Sequence, residues 1–277
     1  MRSTLAVLAV LAVSGLAAAC VSQDQETQLG QQEAQEIEAK LPILHDDAIT
    51  TYVNALGQRI AAGTSRADLQ WKFAVVNTDV VNAFALPGGY IYVNRGVLSR
   101  SVDESELASV LGHEIEHVVL RHSVKQIEKQ QGAAIGVTLA CRLTHVCDNG
   151  LGQAAIQVGG AAVFARFGRA AEVQADSGGF QNVMRVGIDP RGMLTFFEKL
   201  VAEEGSAGGA VSSWFSDHPG TQDRIVDVKR MIAQVPSSKL DQLRADSPEF
   251  KSMKTALAQL PAAPAAPVAP VVDTTRP

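Results

Sequence analysis

His113-Glu114-Ile115-Glu116-His117, HEIEH, is the stretch whose reading decides the fold of this 277-residue chain. Residues four apart on a helix project from nearly the same side, one turn along the axis, so two imidazoles at that spacing can hold one zinc ion. Glu114 stands about 100° round from His113, wrong for a third ligand but within reach of a water on the metal. The pattern also arises by chance, so helix, third ligand and compartment must each agree with it.

The flanks predict a helix. Glu104 to Gln131 reads as one long element, opened by a capping box from Asp103 and Glu106 or from Ser101 and Glu104, and ended by Gly132. Leu107, Val110, Leu111, Ile115, Val118 and Val119 recur at helical spacing as one apolar stripe. His113 and His117 lie at the edge of that stripe and Glu116 points away from it. His122 projects from the apolar face itself and reads as a satisfied core histidine. Arg121 points to the side bearing the histidine pair, either as an outer partner of the site or as a solvated charge.

Catalytic zinc takes three protein ligands and one water. An extended H-x-x-G-x-x-H pattern fails, because Leu120 holds the glycine position and Ser123 the histidine position. An aminopeptidase-like spacing needs glutamate near Gly136, and a deformylase-like site needs an upstream cysteine, where the chain has only Cys20. Glu128, three turns along the same helix, is roughly 16 Å too far. The best candidate lies in AEVQAD, Ala171 to Asp176, where Glu172 and Asp176 share one helix face. Glu172 can ligate zinc, and Asp176 can hold the ring of a zinc histidine. Asp148 is the weaker alternative, in a probable loop, and a solvated acidic helix face is the plain reading of the Glu172–Asp176 pair.

HEIEHVVLRH followed by Glu172-x-x-Ala175-Asp176 resembles the HtpX-like and Oma1-like gluzincin family of zinc metallopeptidases. NAFALPGGYIYVNRGVL (Asn82 to Leu98), HPGTQDRI (His218 to Ile225) and the early GQQEAQEIEAKLPIL with YVNALGQRI extend the likeness, in order, from about residue 25 to about 235. The resemblance implies an α+β, mostly helical fold: a zincin-like metallopeptidase with a small β-sheet beside the active-site helix. It implies one zinc ion per chain on His113, His117 and Glu172, with Asp176 behind them. Glu114 would be the general base, and His218 or Arg224 would steady the oxyanion. His218 has a second possible role, as a fourth zinc ligand that keeps the enzyme latent. The plain readings are a surface loop histidine for His218 and a helix-surface arginine for Arg224.

Two strands are expected near the site, one over Trp71 to Asn77 and one at Tyr90 to Asn94 after the Pro87-Gly88-Gly89 turn. An extended peptide is best held against a sheet edge by main-chain hydrogen bonds. The family likeness assigns that edge to Asn82, Ala83, Phe84 and Ala85, with Asn82 either gripping substrate backbone or merely closing a turn.

The ends of the chain concern its compartment. Arg2, the apolar run Leu5 to Val13, and Ala17 to Ala19 before Cys20 read as a lipoprotein signal peptide over 1–19, cleaved and lipidated at Cys20; an ordinary secretory signal is the competing reading. Val21 is not aspartate, which favours the outer membrane over the inner. Cys141 and Cys147 form a possible disulfide in an oxidising periplasm, or remain free thiols. Ala133 to Phe167 is apolar and broken by Arg142, Asp148 and Arg166, as helices packed beside the site or as a flap over it. Residues 20–260 suit one metallopeptidase domain, and 261–277 a Pro/Ala-rich disordered tail. A net charge of −5 without basic clusters argues against nucleic acid. The function expected is zinc-dependent endopeptidase action on misfolded or unassembled envelope polypeptides, as quality control. The competing reading is a non-proteolytic zinc-containing chaperone or assembly factor of the envelope.

Overall fold

The computed structural model describes residues 21–129, 167–204 and 211–264. The signal segment with Cys20, the stretch carrying Cys141, Cys147 and Asp148, and residues 265–277 lie outside them. The described part is mostly helical with one three-stranded sheet.

Two helices lead, α1 (Gln23–Glu38) and α2 (Asp47–Ala61). Ser22 opens α1 with a full capping box to Gln25, and Asp46 opens α2 by accepting from Ile49 N at 3.1 Å. The strands follow: β1 (Lys72–Val76), β2 (Ala83–Leu86) and β3 (Tyr90–Asn94), in the order β1-β3-β2. β1 runs parallel to β3 and β2 antiparallel to it, with Phe73 opposite Ile91 and Phe84 opposite Tyr92. The turn between β2 and β3 needs the left-handed backbone that Gly88 and Gly89 adopt, at φ 77° and 99°. The outer edge of β1 is covered by the chain before α2, through Leu44 N to Val75 O and Asn77 N to Pro42 O. Among the described residues no strand pairs with the outer edge of β2.

The HEIEH stretch lies in α4 (Glu104–Val119), which follows the short α3 (Arg95–Arg100). Of the two capping options, the structure uses Asp103, which accepts from Glu106 N at 3.1 Å, while Glu106 accepts from Val102 N at 2.9 Å. The expectation of one helix to Gln131 is corrected. α4 stops at Val119, Arg121 takes the left-handed backbone at φ 56°, and a separate helix begins at 122 and runs to 129, the last described residue of that stretch. A left-handed non-glycine residue costs about 1–2 kcal/mol. Here that cost is offset by Glu26, a fully buried carboxylate of α1, which accepts from Arg121 Nε at 2.8 Å and from Arg66 Nη1 at 2.7 Å. Arg121 therefore turns to the N-terminal helix, not to the histidine pair, and its Nη2 donates to Val21 O at 2.6 Å.

α5 (Arg169–Arg185) packs along α4 more extensively than any other described pair of elements. The close approach rests on glycines. A Cβ on Gly179 would sit 2.9 Å from Gly112 C and His113 N, and one on Gly178 would overlap the Glu116 carboxyl group. Glu116 faces away from the apolar stripe yet is buried against α5, accepting from Asn182 Nδ2 at 2.8 Å. Gly179→Ala is expected to force the helices apart at the backbone, costing about 1–3 kcal/mol as overpacking does, and to weaken metal binding with it. Thermal melts with and without chelator would measure both effects. Unchanged melting and metal affinity would refute the role of this crossing.

The remaining helices are α6 (Gly192–Glu203), α7 (Ser212–Asp217), α8 (Thr221–Ala233), α9 (Ser237–Leu240) and α10 (Pro248–Gln259). α10 packs on α2, and α8 on α5 and α6. Leu107, Leu111 and Ile115 of α4 share one core with Phe180, Phe196 and Trp214. Among the described residues, no helix is long and apolar enough to cross a membrane.

Candidate active site

α4 presents His113 and His117, the first turn of α5 presents Glu172, and His218 follows α7. All four are buried, and their ligand atoms lie within 4.8 Å of one another. His113 Nε2 is 3.0 Å from His117 Nε2 and 3.3 Å from His218 Nδ1, and Glu172 Oε2 is 3.3 Å from His218 Nδ1. Glu172 of α5 faces the histidines, and Asp176, one turn on, faces the back of His113.

The outer contacts orient the rings. Asp176 Oδ1 accepts from His113 Nδ1 at 2.9 Å, which turns the Nε2 lone pair of His113 toward the cluster. Ala83 O accepts from His218 Nε2 at 3.3 Å and turns Nδ1 of His218 inward. Phe167 stacks on the face of His117 with ring centres 4.2 Å apart. Trp214 lies 4.6 Å from the His218 ring.

Arg224 enters from α8, where it is 2 % exposed. Its Nε and Nη2 donate to the two oxygens of Asp176 at 2.7 and 2.6 Å, and Nη1 pairs with Glu172 Oε2 at 2.8 Å. Its charge therefore acts through the two carboxylates. The plain alternatives, a helix-surface arginine and a surface loop histidine, do not fit this burial, since His218 is 3 % exposed.

Burial and charge set the protonation states. Burial would raise Asp176, but the Arg224 guanidinium wins and holds it at about 2. Burial likewise opposes ionisation of Glu172, and the hydrogen bond from His218 with the charges around it brings it below the usual carboxylate range. Burial drives His117 well below the ordinary imidazole value, helped by the cationic groups beside it, so this ring is neutral as a ligand must be. Burial pushes Glu114 up against the opposing pull of His218 and His113. Glu114 Oε1 and Glu172 Oε1 are buried oxygens with no hydrogen-bond partner among the described residues. Inward-facing imidazole nitrogens beside an orphaned carboxylate oxygen are the donor set of a zinc-type cation, so the residues fit a divalent metal.

Asn82, the residue before β2, is buried and donates Nδ2 to Asp217 Oδ2 at 2.8 Å, beside His218. Its Oδ1 has no hydrogen-bond partner among the described residues. Ala83 O points out of the sheet to His218. Sequence reasoning overlooked Asp217, Trp214 and Phe167. Only Trp214 left a signal, at helical i, i+4 spacing before His218.

A helix carrying H-E-x-x-H, crossed by a second helix that supplies a buried glutamate, with the outer edge of β2 alongside, defines a metallopeptidase. The chain belongs to peptidase family M48, whose profile matches residues 47–232. It is 32 % identical over 225 residues to the beta-barrel assembly-enhancing protease of Yersinia pestis, covering 79 % of this chain and 46 % of that one. It is 31 % identical over 248 residues to the mitochondrial metalloendopeptidase OMA1 of Schizosaccharomyces pombe, covering 84 % and 69 %. To the metalloprotease LoiP of Escherichia coli (strain K12) it is 31 % identical over 224 residues, covering 77 % and 83 %. The chain spans about half the length of the beta-barrel assembly-enhancing proteases that it matches.

Proposed function

We propose that this chain is a zinc-dependent endopeptidase that cleaves misfolded or unassembled proteins of the bacterial envelope. The observation that carries the reading is the convergence of His113, His117 and Glu172 beside the unpartnered Oε1 of Glu114. His113, His117 and Glu172 would hold the metal, which when bound supplies a Lewis acid for the scissile carbonyl and acidifies water. Glu114 takes the proton of the attacking water at Oε1 and delivers it to the leaving amine. Asp176 and Arg224 keep His113 and Glu172 in place. The outer edge of β2 holds the substrate extended, with Asn82 and Ala83 at its start. Envelope clients are supported by the bacterial relatives' name, which ties those proteins to β-barrel assembly, and by the lipoprotein signal that ends at Cys20. A lipid on Cys20 would hold the domain of residues 20–260 at the periplasmic face of the outer membrane.

The test is cleavage of casein by protein from residue 21 onward, loaded with one zinc per chain, before and after chelation. Zinc-loaded protein that cuts nothing would favour the chaperone or assembly reading.

One observation favours a latent form of the same enzyme. His218 Nδ1 stands among the ligand atoms while its Nε2 occupies Ala83 O, the first acceptor of the substrate edge. His218 would then close the metal site and the strand edge together. His218→Ala is expected to raise casein turnover if this latch limits the rate, and to lower it if His218 serves the oxyanion. Turnover numbers of the two proteins at saturating casein decide between them.

A further inference from the structure

The His117 ring is oriented by an imidazole, not by a carboxylate or carbonyl. His122 Nδ1 lies 2.9 Å from His117 Nδ1, and His122 Nε2 lies 3.1 Å from Gln174 Oε1. In an unbroken helix, residue 122 would stand about 140° round the axis from residue 117, out of reach of its ring. The left-handed turn at Arg121, tied down by buried Glu26, starts a new helix at 122 and swings His122 back onto His117. His122 is itself 6 % exposed, and Phe167 covers the face of His117, so the Nδ1 edge of that ring meets His122 rather than bulk water.

We propose that His122 is a positioning residue of the metal site, acting through His117 in a relay that starts at Gln174. The inference rests on His117 being a metal ligand through Nε2. A ligand nitrogen must offer its lone pair, so the proton of neutral His117 sits on Nδ1 and is donated to His122 Nδ1. His122 then accepts at Nδ1 and carries its own proton on Nε2, which Gln174 Oε1 accepts. Each ring fixes the tautomer of the next, and the chain ends on an amide oxygen at the protein surface. Water can stand in for Gln174 there, so the weight falls on His122. This revises the sequence reading of His122 as a core histidine: it is buried and satisfied, but its partner is the metal ligand.

The test pairs two substitutions that separate hydrogen bonding from packing. His122→Phe keeps the ring and removes the acceptor. His122→Asn loses volume but places an amide oxygen where Nδ1 stood. Zinc affinity of the folded proteins, by competition with a fluorescent chelator, is expected to fall about 10–100-fold in His122→Phe, as for loss of other outer partners of metal ligands. In His122→Asn it is expected to stay near that of the parent. The reverse order, or equal losses, would make His122 a packing residue and overturn the proposal. Nitrogen-15 spectra of the zinc-loaded parent need no substitution: they should place the His117 proton on Nδ1, and a proton on Nε2 would overturn the relay. A parent chain that binds no zinc would instead overturn the metal-site reading itself, and this inference with it.

Discussion

Glu114→Gln is expected to abolish proteolysis while leaving zinc bound. Glutamine matches glutamate in size, so the packing of α4 against α5 is undisturbed. Glu114 is not one of the four groups whose ligand atoms converge, so the donor set is unchanged. What is lost is the ability of Oε1 to take a proton. That oxygen is buried and unpartnered, 3.6 Å from His218 Nε2, and burial raises its carboxyl above the usual range. A carboxylate whose affinity for a proton is raised is a stronger base, and removing a positioned general base costs roughly 10²–10⁴-fold in rate. The measurement is kcat/KM on casein for parent and variant, each assayed for one zinc per chain. A variant that keeps zinc and still cuts within tenfold of the parent (about 1.4 kcal/mol) would remove Glu114 from the mechanism.

What was legible in the sequence was local. The H-E-x-x-H and E-x-x-x-D spacings are helical periodicities, and they placed His113, His117, Glu172 and Asp176 without knowledge of the fold. The glycine turn before β3 was legible for the same reason, as a short-range backbone signal, whereas the sheet edge at Ala83 came from the family likeness. What was missed depends on partners far along the chain. The helix over Glu104 to Gln131 looked continuous because no glycine or proline follows Gly112 before Gly132. Its break at Arg121 is decided by Glu26, 95 residues earlier, which no window over α4 contains. The break in turn changes the role of His122. The helix crossing is set by Gly112 and Gly179, whose meaning appears only when the two helices are laid together. Arg224 was legible as a site residue only through the family likeness, and as an oxyanion group; its carboxylate partners lie 48 and 52 residues back on α5, outside any window over α8.

Arg224→Met should therefore strongly destabilise the metal-free protein. Methionine fills a similar volume and keeps contact with Phe197, over whose ring the guanidinium lies at 4.6 Å. It leaves Asp176, 1 % exposed, without its guanidinium and removes one of the positive groups beside buried Glu172. Removing one partner of a buried pair costs about 3–5 kcal/mol, because the remaining charge must stay uncompensated or take up a proton. Arg224→Lys separates charge from geometry. Its ammonium keeps the positive charge but cannot span both oxygens of Asp176 while reaching Glu172, so an intermediate loss is expected. Denaturant unfolding of chelated protein reads these losses without a contribution from bound metal. Arg230→Met, which removes an exposed pair with Asp227 on the same helix, serves as control and should be nearly silent. If Arg224→Met unfolds within about 1 kcal/mol of the parent, at the scale of an exposed ion pair, the arginine is not what holds the carboxylates in place. If it is strongly destabilising and Arg224→Lys is not, charge alone suffices and the fork geometry is incidental. Loss in both, larger in methionine, is what a guanidinium clamping Glu172 and Asp176 behind the histidines requires.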